Sequence, residues 1–208
     1  MGCGILLLAL LLLSSTLQAA TEVWKIEPRP GPVWKDMILE DGLRQPYDLG
    51  RATHRRLTVL ALLGGHWDPY SIQLLKELRN AEQDILDRGF QIIAVSPDNT
   101  YRLRGVLDRL DLPFVLCSDT KLKVAQSLGL ARPMPAEREK ALLESGIRFR
   151  DSDKDPVPLM ADPSLVLMGE DGKIYLRVTG LIEKVPFNGE ALTKACGQVR
   201  LKSGAGTP

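Results

Sequence analysis

Arg56-Leu57-Thr58-Val59-Leu60-Ala61-Leu62-Leu63 runs straight into Gly64-Gly65-His66-Trp67-Asp68-Pro69-Tyr70-Ser71, and the fold follows from how these two pieces join. The first piece is too uniformly apolar to leave one face in water, so it predicts a central strand covered on both sides. The second ends in a helix-start signal. Asp68 can accept from free N–H groups of a first helical turn, and Pro69 fits the first helical position because the N–H it lacks would be unpaired there. Beyond it Leu74, Leu75, Leu78, Ala81, Ile85 and Leu86 recur at steps of three and four, one apolar stripe that predicts a helix from Pro69 to about Arg88. Gly89 ends it.

The pattern repeats on either side. Val33 to Asp48 reads as a hairpin turning at Glu40-Asp41-Gly42. Phe90 to Val95 predicts a second buried strand, closed by Ser96-Pro97-Asp98. A helix from Thr100 to Leu110, a short strand Phe114 to Leu116 and a helix Lys121 to Leu128 follow. Pro135 to Gly146 is helical in pattern, and residues 148–162 read as a charged, Pro-containing excursion. Ser164 to Met168 and Lys173 to Val178 form a hairpin about Glu170-Asp171-Gly172. Asn188 to about Leu201 is the closing helix, and Ser203 to Pro208 a loose tail. Strands alternating with helices, then a hairpin and a last helix, give an α/β fold: a mixed central sheet flanked by helices, with an N-terminal β-hairpin extension.

Composition narrows the function classes. With Lys+Arg at 27 and Asp+Glu at 26 the chain carries a formal charge of +1. Its basic residues are scattered, so no footprint for nucleic acid or an anionic membrane is visible. The N-terminus differs from the rest. Ile5 to Leu13 is continuously apolar and Ser14 to Ala20 is small and polar, the layout of a secretory signal cut after Ala19 or Ala20. The apolar run falls short of the ~20 residues that span a bilayer. The expectation is a signal peptide over 1–20, a single domain over 21–208 and an exported location, periplasmic or secreted. No Lys or Arg precedes the apolar run, which leaves an uncleaved anchor as the alternative reading. Of the 3 cysteines, Cys117 and Cys196 would remain in the mature chain, too few to be a disulfide framework.

Four segments then resemble one family. Pro30 to Leu49, with Leu39-Glu40-Asp41-Gly42, is one. Leu63 to Ser71 with Leu75-Lys76-Glu77-Leu78 is the second. Ile92-Ile93-Ala94-Val95-Ser96-Pro97-Asp98 with Leu112-Pro113-Phe114-Val115-Leu116-Cys117-Ser118-Asp119 is the third, and Asp162-Pro163-Ser164-Leu165-Val166-Leu167 with Asp171-Gly172-Lys173-Ile174 the fourth. Together they resemble the alkyl hydroperoxide reductase/thiol-specific antioxidant (AhpC/TSA, peroxiredoxin-like, redoxin) branch of the thioredoxin superfamily. The resemblance implies a thioredoxin-like fold and an antioxidant, thiol-dependent oxidoreductase chemistry at the Gly64–Ser71 turn. It also implies a cis-proline opposite that turn, at Pro163 beside Asp162, and a partner arginine for the thiolate, for which Arg132 and Arg177 are candidates.

Where many redox proteins of this layout read Trp-Cys-Pro-Tyr-Cys, this chain reads Trp67-Asp68-Pro69-Tyr70-Ser71. Helix N-termini favour a thiolate, and a second cysteine one turn on can resolve the first as a disulfide. Asp68 and Ser71 keep the spacing and lose both reactions. Asp68 is then either a plain N-cap or a functional anion in a retained crevice. Trp67 and Tyr70 are either packing or the lining of a ligand pocket. Ser71 as a hydrolytic nucleophile would need a base, and only His54 and His66 exist. His66 with Asp68 lacks further ligands in metal-site spacing. Cys117 at the end of a strand is read as a buried thiol, with a relocated redox role as the alternative. Cys196 is read as an inert helical thiol, and a Cys117–Cys196 or intermolecular disulfide stays open. The expected function is that of an exported, redox-silent binding or interaction protein. Trp67, Asp68, Tyr70, Ser71, Asp162 and Pro163 would form the binding crevice, for a small molecule or a protein partner. No metal or cofactor is expected, and a dimer is open.

Overall fold

The structure, a computed structural model, describes residues 24–148, 156–179 and 188–204. The expected signal at 1–20, part of the charged excursion and the end of the tail lie outside the described residues. Seven strands form the main sheet in the order β2-β1-β5-β4-β3-β8-β9. They are β1 (Ile38–Asp41), β2 (Pro46–Asp48), β3 (Thr58–Leu62), β4 (Gln91–Ser96), β5 (Val115–Ser118), β8 (Ser164–Met168) and β9 (Ile174–Thr179). β3, β4 and β5 run parallel, while β8, β9, β1 and β2 pair antiparallel. The mixed sheet, the flanking helices and the N-terminal hairpin are those the sequence predicts.

The apolar run of β3 is the centre of the molecule because its alternate residues feed two cores. Val59 and Ala61 point into one layer with Ile92, Ala94, Leu165 and Leu167. Leu60 and Leu62 point into the other with Ile93, Val95, Val166 and Met168. Successive side chains on a strand face opposite ways, so a strand buried on both faces is apolar along nearly its whole length, and the one polar residue of β3, Thr58, donates its hydroxyl to Arg56 O at 3.1 Å. The first layer is covered by α2 (Pro69–Asn80), α3 (Glu82–Leu86), α4 (Thr100–Leu110) and α7 (Gly189–Ser203). The second is covered by α1 (Leu49–Thr53), α5 (Lys123–Ser127) and Trp34.

The structure departs from the sequence reading in four places, the first being α1, where the sequence predicts no helix. The expected helix over 69–88 is two: it breaks at Ala81 (φ −96°, ψ 3°) and resumes as α3. The break falls where α7 begins, since a Cβ placed on Gly189 would stand 2.8 Å from the Ala81 Cβ. A two-stranded ribbon also joins β6 (Ala131–Pro133) to β7 (Leu159–Ala161), with Arg132 opposite Met160. Three-residue strands beside Pro133 and Pro158 carry too little alternation to be read from sequence. Between them stands α6 (Ala136–Glu144), which buries none of its side chains. The closing helix runs on to Ser203, into the expected tail.

Finally, residues 27–29 pair with β9 through Glu27 N–H to Tyr175 O (2.9 Å) and Arg29 N–H to Ile174 O (2.8 Å). This covers an edge that would otherwise present unpaired backbone groups. Among the described residues no helix is long and apolar enough to cross a membrane.

Candidate functional site

The site lies at the C-terminal ends of the parallel strands, the usual position for a ligand crevice in an open α/β sheet. There β3 gives way to Gly64 and Gly65 before α2 begins. Both glycines sit where a side chain is crowded. A Cβ on Gly64 would lie 3.3 Å from both Ala161 O and Asp68 Oδ2, and 3.5 Å from Pro163 Cδ. Gly65 adopts φ +129°, where L side chains are strained, and a Cβ there would reach 2.5 Å from the Trp67 indole nitrogen.

Asp68 is the N-cap of α2 and only 1% exposed. Its Oδ2 accepts from the Ser71 backbone N–H at 2.9 Å and from the Ser71 hydroxyl at 2.6 Å. Ser71, also 1% exposed, accepts the Gly64 N–H on its Oγ at 2.8 Å. The hydroxyl therefore bridges the glycine turn to the helix cap, and its proton is committed to Asp68. The plain capping role is realised for Oδ2, while Oδ1 points elsewhere: among the described residues no hydrogen-bond donor reaches it. Facing Oδ1 at 3.7 Å is Nη2 of Arg138, from α6. The same guanidinium lies over the Trp67 ring, 5.1 Å from its centroid.

His66 turns the other way. Its backbone N–H donates to Asp98 Oδ2 at 2.6 Å and its ring Nδ1 lies 2.6 Å from Asp98 Oδ1. Ser96 Oγ donates to the same Oδ2 at 2.8 Å. Asp98 thus anchors the turn to the loop after β4. This geometry bears on three readings of the sequence. His66 is no base for Ser71, because its ring is engaged by Asp98 and Ser71 is enclosed. His66 and Asp68 bond separate partners, and among the described residues no group of three or more His, Cys, Asp or Glu gathers to hold a metal. Trp67 does not simply pack in the core: half-buried, its ring carries Arg138.

The fourth segment lies as expected opposite the turn, but Pro163 is not a cis-proline: no peptide bond among the described residues is cis. Its ring Cδ closes on Gly64 in the trans form. Asp162 makes a bidentate pair with Arg132, Nε to Oδ2 at 2.8 Å and Nη2 to Oδ1 at 2.7 Å, and the carboxylate pushes the Arg132 pKa up. Arg177 donates to Leu128 O at 2.8 Å. Neither candidate arginine is the one paired with Asp68; that residue is Arg138. Tyr70 projects outward, 40% exposed.

Both thiols are buried. Cys117 belongs to one core layer and Cys196 to the other, so the sheet separates them; both are free and no disulfide joins them. Burial, with a smaller contribution from the Asp41 carboxylate, pushes the Cys117 thiol up to about 12. Burial does the same to Cys196, also to about 12. Both thiols are protonated at neutral pH and closed to solvent.

Sequence reasoning did not assign roles to Asp98 or Arg138. Asp98 left a faint signal as a carboxylate just past the end of a buried parallel strand. Arg138 left none, being one charge in a helix with no apolar stripe.

Comparison with known proteins places this architecture. The model of the AhpC/TSA family matches residues 30–176, and the chain belongs to that family. Among solved structures, the bacterioferritin comigratory protein of Xanthomonas campestris superposes with a TM-score of 0.64 at 14% identity, over 83% of this chain and 98% of that one. Peroxiredoxin 6 of Arenicola marina gives 0.64 at 16%, over 84% and 74%. A secreted Mycobacterium tuberculosis disulfide oxidoreductase gives 0.54 at 11%, over 78% and 95%. At these identities the likeness is one of fold. No curated protein matches the sequence.

Proposed function

We propose that this chain is a redox-silent member of the AhpC/TSA family, exported after loss of residues 1–20, whose single domain uses the crevice around Asp68 for binding. The observation that supports it most is the closed Asp68–Ser71–Gly64 hydrogen-bond set. It fills the start of α2 with a carboxylate and a hydroxyl, neither of which can be oxidised and resolved as a thiol can. The state of the two remaining thiols supports the same reading. A peroxide is attacked by a thiolate, which needs a lowered pKa and access, and Cys117 and Cys196 have the opposite of both.

The test is peroxide turnover by the purified, reduced protein, with mass spectrometry of Cys117 and Cys196. Peroxide loss no faster than with a free thiol, and no sulfenic acid on either residue, is the expected result. Rapid conversion of Cys117 to sulfenic acid, with the peroxide reduced to water or alcohol, overturns the reading in favour of a peroxidase with a relocated nucleophile.

A further inference from the structure

The crevice holds one group that its own fold leaves unsatisfied. Asp68 is 1% exposed, yet its Oδ1 has no hydrogen-bond donor among the described residues. A buried carboxylate oxygen costs free energy unless it is paired. What faces it is the Arg138 guanidinium at 3.7 Å, outside hydrogen-bond range, and the buried Nε of Arg138 likewise lacks an acceptor among the described residues. The contrast with Arg132 is direct, since that arginine reaches Asp162 through two bonds of 2.8 and 2.7 Å. Beneath that guanidinium lies the indole of Trp67, and a planar guanidinium stacks well on such a face.

An aromatic face beside a buried carboxylate with a free acceptor is the chemistry that recognises a guanidinium. Arg138 enters that site without reaching hydrogen-bond distance of Oδ1. It hangs from α6, a helix that buries none of its side chains and is carried on the short β6–β7 ribbon. We propose that Trp67 and Asp68 form a guanidinium-binding site, occupied in cis by Arg138, that takes an arginine side chain of a partner peptide when α6 is displaced. An untethered arginine can approach Oδ1 to hydrogen-bond distance and keep the stacking, which Arg138 achieves only in part. α6 is then the element that partner and protein compete over, and Arg138 sets the affinity threshold. The proposal rests on reading the Asp68 crevice as a binding site and is independent of whether the thiols react.

The experiment titrates the full chain, as wild type, Arg138→Ala, Arg138→Gln and Arg138→Ala/Asp68→Asn, with methylguanidinium and, separately, with methylammonium. Binding is followed by the indole N–H resonance of Trp67, assigned with Trp67→Phe, and by the shift in Tm. Arg138→Ala and Arg138→Gln are expected to bind methylguanidinium saturably, with Kd on the order of 1–10 mM for so small a ligand. Wild type should bind at least about tenfold more weakly, because Arg138 must first leave. Methylammonium should bind more weakly than methylguanidinium, and the Asp68→Asn double variant should lose the site. A Trp67 resonance that does not move in either Arg138 variant overturns the proposal. So does equal binding by the double variant. The peroxide assay reads only the thiols, so failure here leaves the redox-silent reading standing, and failure there leaves this site standing.

Discussion

The Ser71 hydroxyl donates to Asp68 Oδ2 at 2.6 Å, tying the cap of α2 to the residue three positions further on. The bond forms because both sit in the first turn of α2, where a cap carboxylate and the side chain three residues on come to one side of the helix start.

Asp68→Ala tests how much that bond holds. It removes the cap, worth about 1 kcal/mol, and strands the buried Ser71 hydroxyl, which loses its acceptor. A loss of about 2–4 kcal/mol is expected. Asp68→Asn keeps an acceptor for the Ser71 N–H and should lose less than about 1.5 kcal/mol. Urea midpoints at unchanged m-value give the comparison. Equal losses in the two variants would show that the hydrogen-bond set does not hold the turn.

Gly65→Ala acts on the same turn through the backbone. The position has φ +129°, and the new methyl meets the Trp67 indole at 2.5 Å. Strain of this kind costs about 1–3 kcal/mol, and the indole must move to relieve the contact. The expected result is a lowered Tm together with a changed Trp67 indole resonance. An unshifted resonance would mean that the ring is not packed against the turn.

Much of this is legible in the order of the residues alone. The Val59–Leu63 run declares a strand buried on both faces because five apolar residues follow without a polar one, and Asp68-Pro69 declares a helix start because both residues act locally. The break at Ala81 is not legible: it lies against Gly189 of α7, which comes from far along the chain. The same holds for the site. Asp68 and Ser71 are neighbours in sequence, and their spacing marks them as a pair. Arg138 reaches Asp68 across a long sequence separation from a helix that buries none of its residues, and Asp98 reaches His66 across 32 positions. Short-range chemistry shows in the sequence, whereas contacts made by tertiary approach do not. The expected cis-proline fails for a related reason: the location of Pro163 opposite the turn follows from strand order, but its isomer does not.

The two thiols predict a particular alkaline behaviour. Cys117 and Cys196 titrate near 12 in the folded protein against an ordinary value of 9.0. The native state thus holds protons that the unfolded chain gives up, so stability is unaffected below about pH 9 and falls as pH rises from 9 toward 12. Each thiol contributes up to about 1.4 kcal/mol per pH unit in that window. Tyr47, raised to about 12 by burial and the neighbouring Cys117, adds in the same direction above its ordinary 10.0. Replacing both cysteines with alanine should flatten the decline seen in urea unfolding between about pH 9 and 11. At about pH 8, iodoacetamide should label neither residue until denaturant is added. Rapid labelling of native Cys117 would contradict its burial.

Asp98 sets the orientation of His66 and so gives a prediction with a spectroscopic readout. Its carboxylate accepts from the His66 N–H at 2.6 Å and from Ser96 Oγ at 2.8 Å, while the His66 Nδ1 lies 2.6 Å from its other oxygen. A carboxylate can only accept, so neutral His66 carries its proton on Nδ1 and presents Nε2 as an acceptor to solvent. Asp98→Ala leaves three donors unmatched, of which only the Ser96 hydroxyl is fully buried, and a total loss of about 2–4 kcal/mol is expected. Asp98→Asn retains one acceptor oxygen for the backbone N–H and should lose about half as much, but its amide N–H₂ then faces the ring. The neutral imidazole should respond by moving its proton from Nδ1 to Nε2, a change read directly from its nitrogen chemical shifts. If the tautomer is the same in wild type and Asp98→Asn, the ring does not take its orientation from Asp98, and the turn is held by the backbone bond alone.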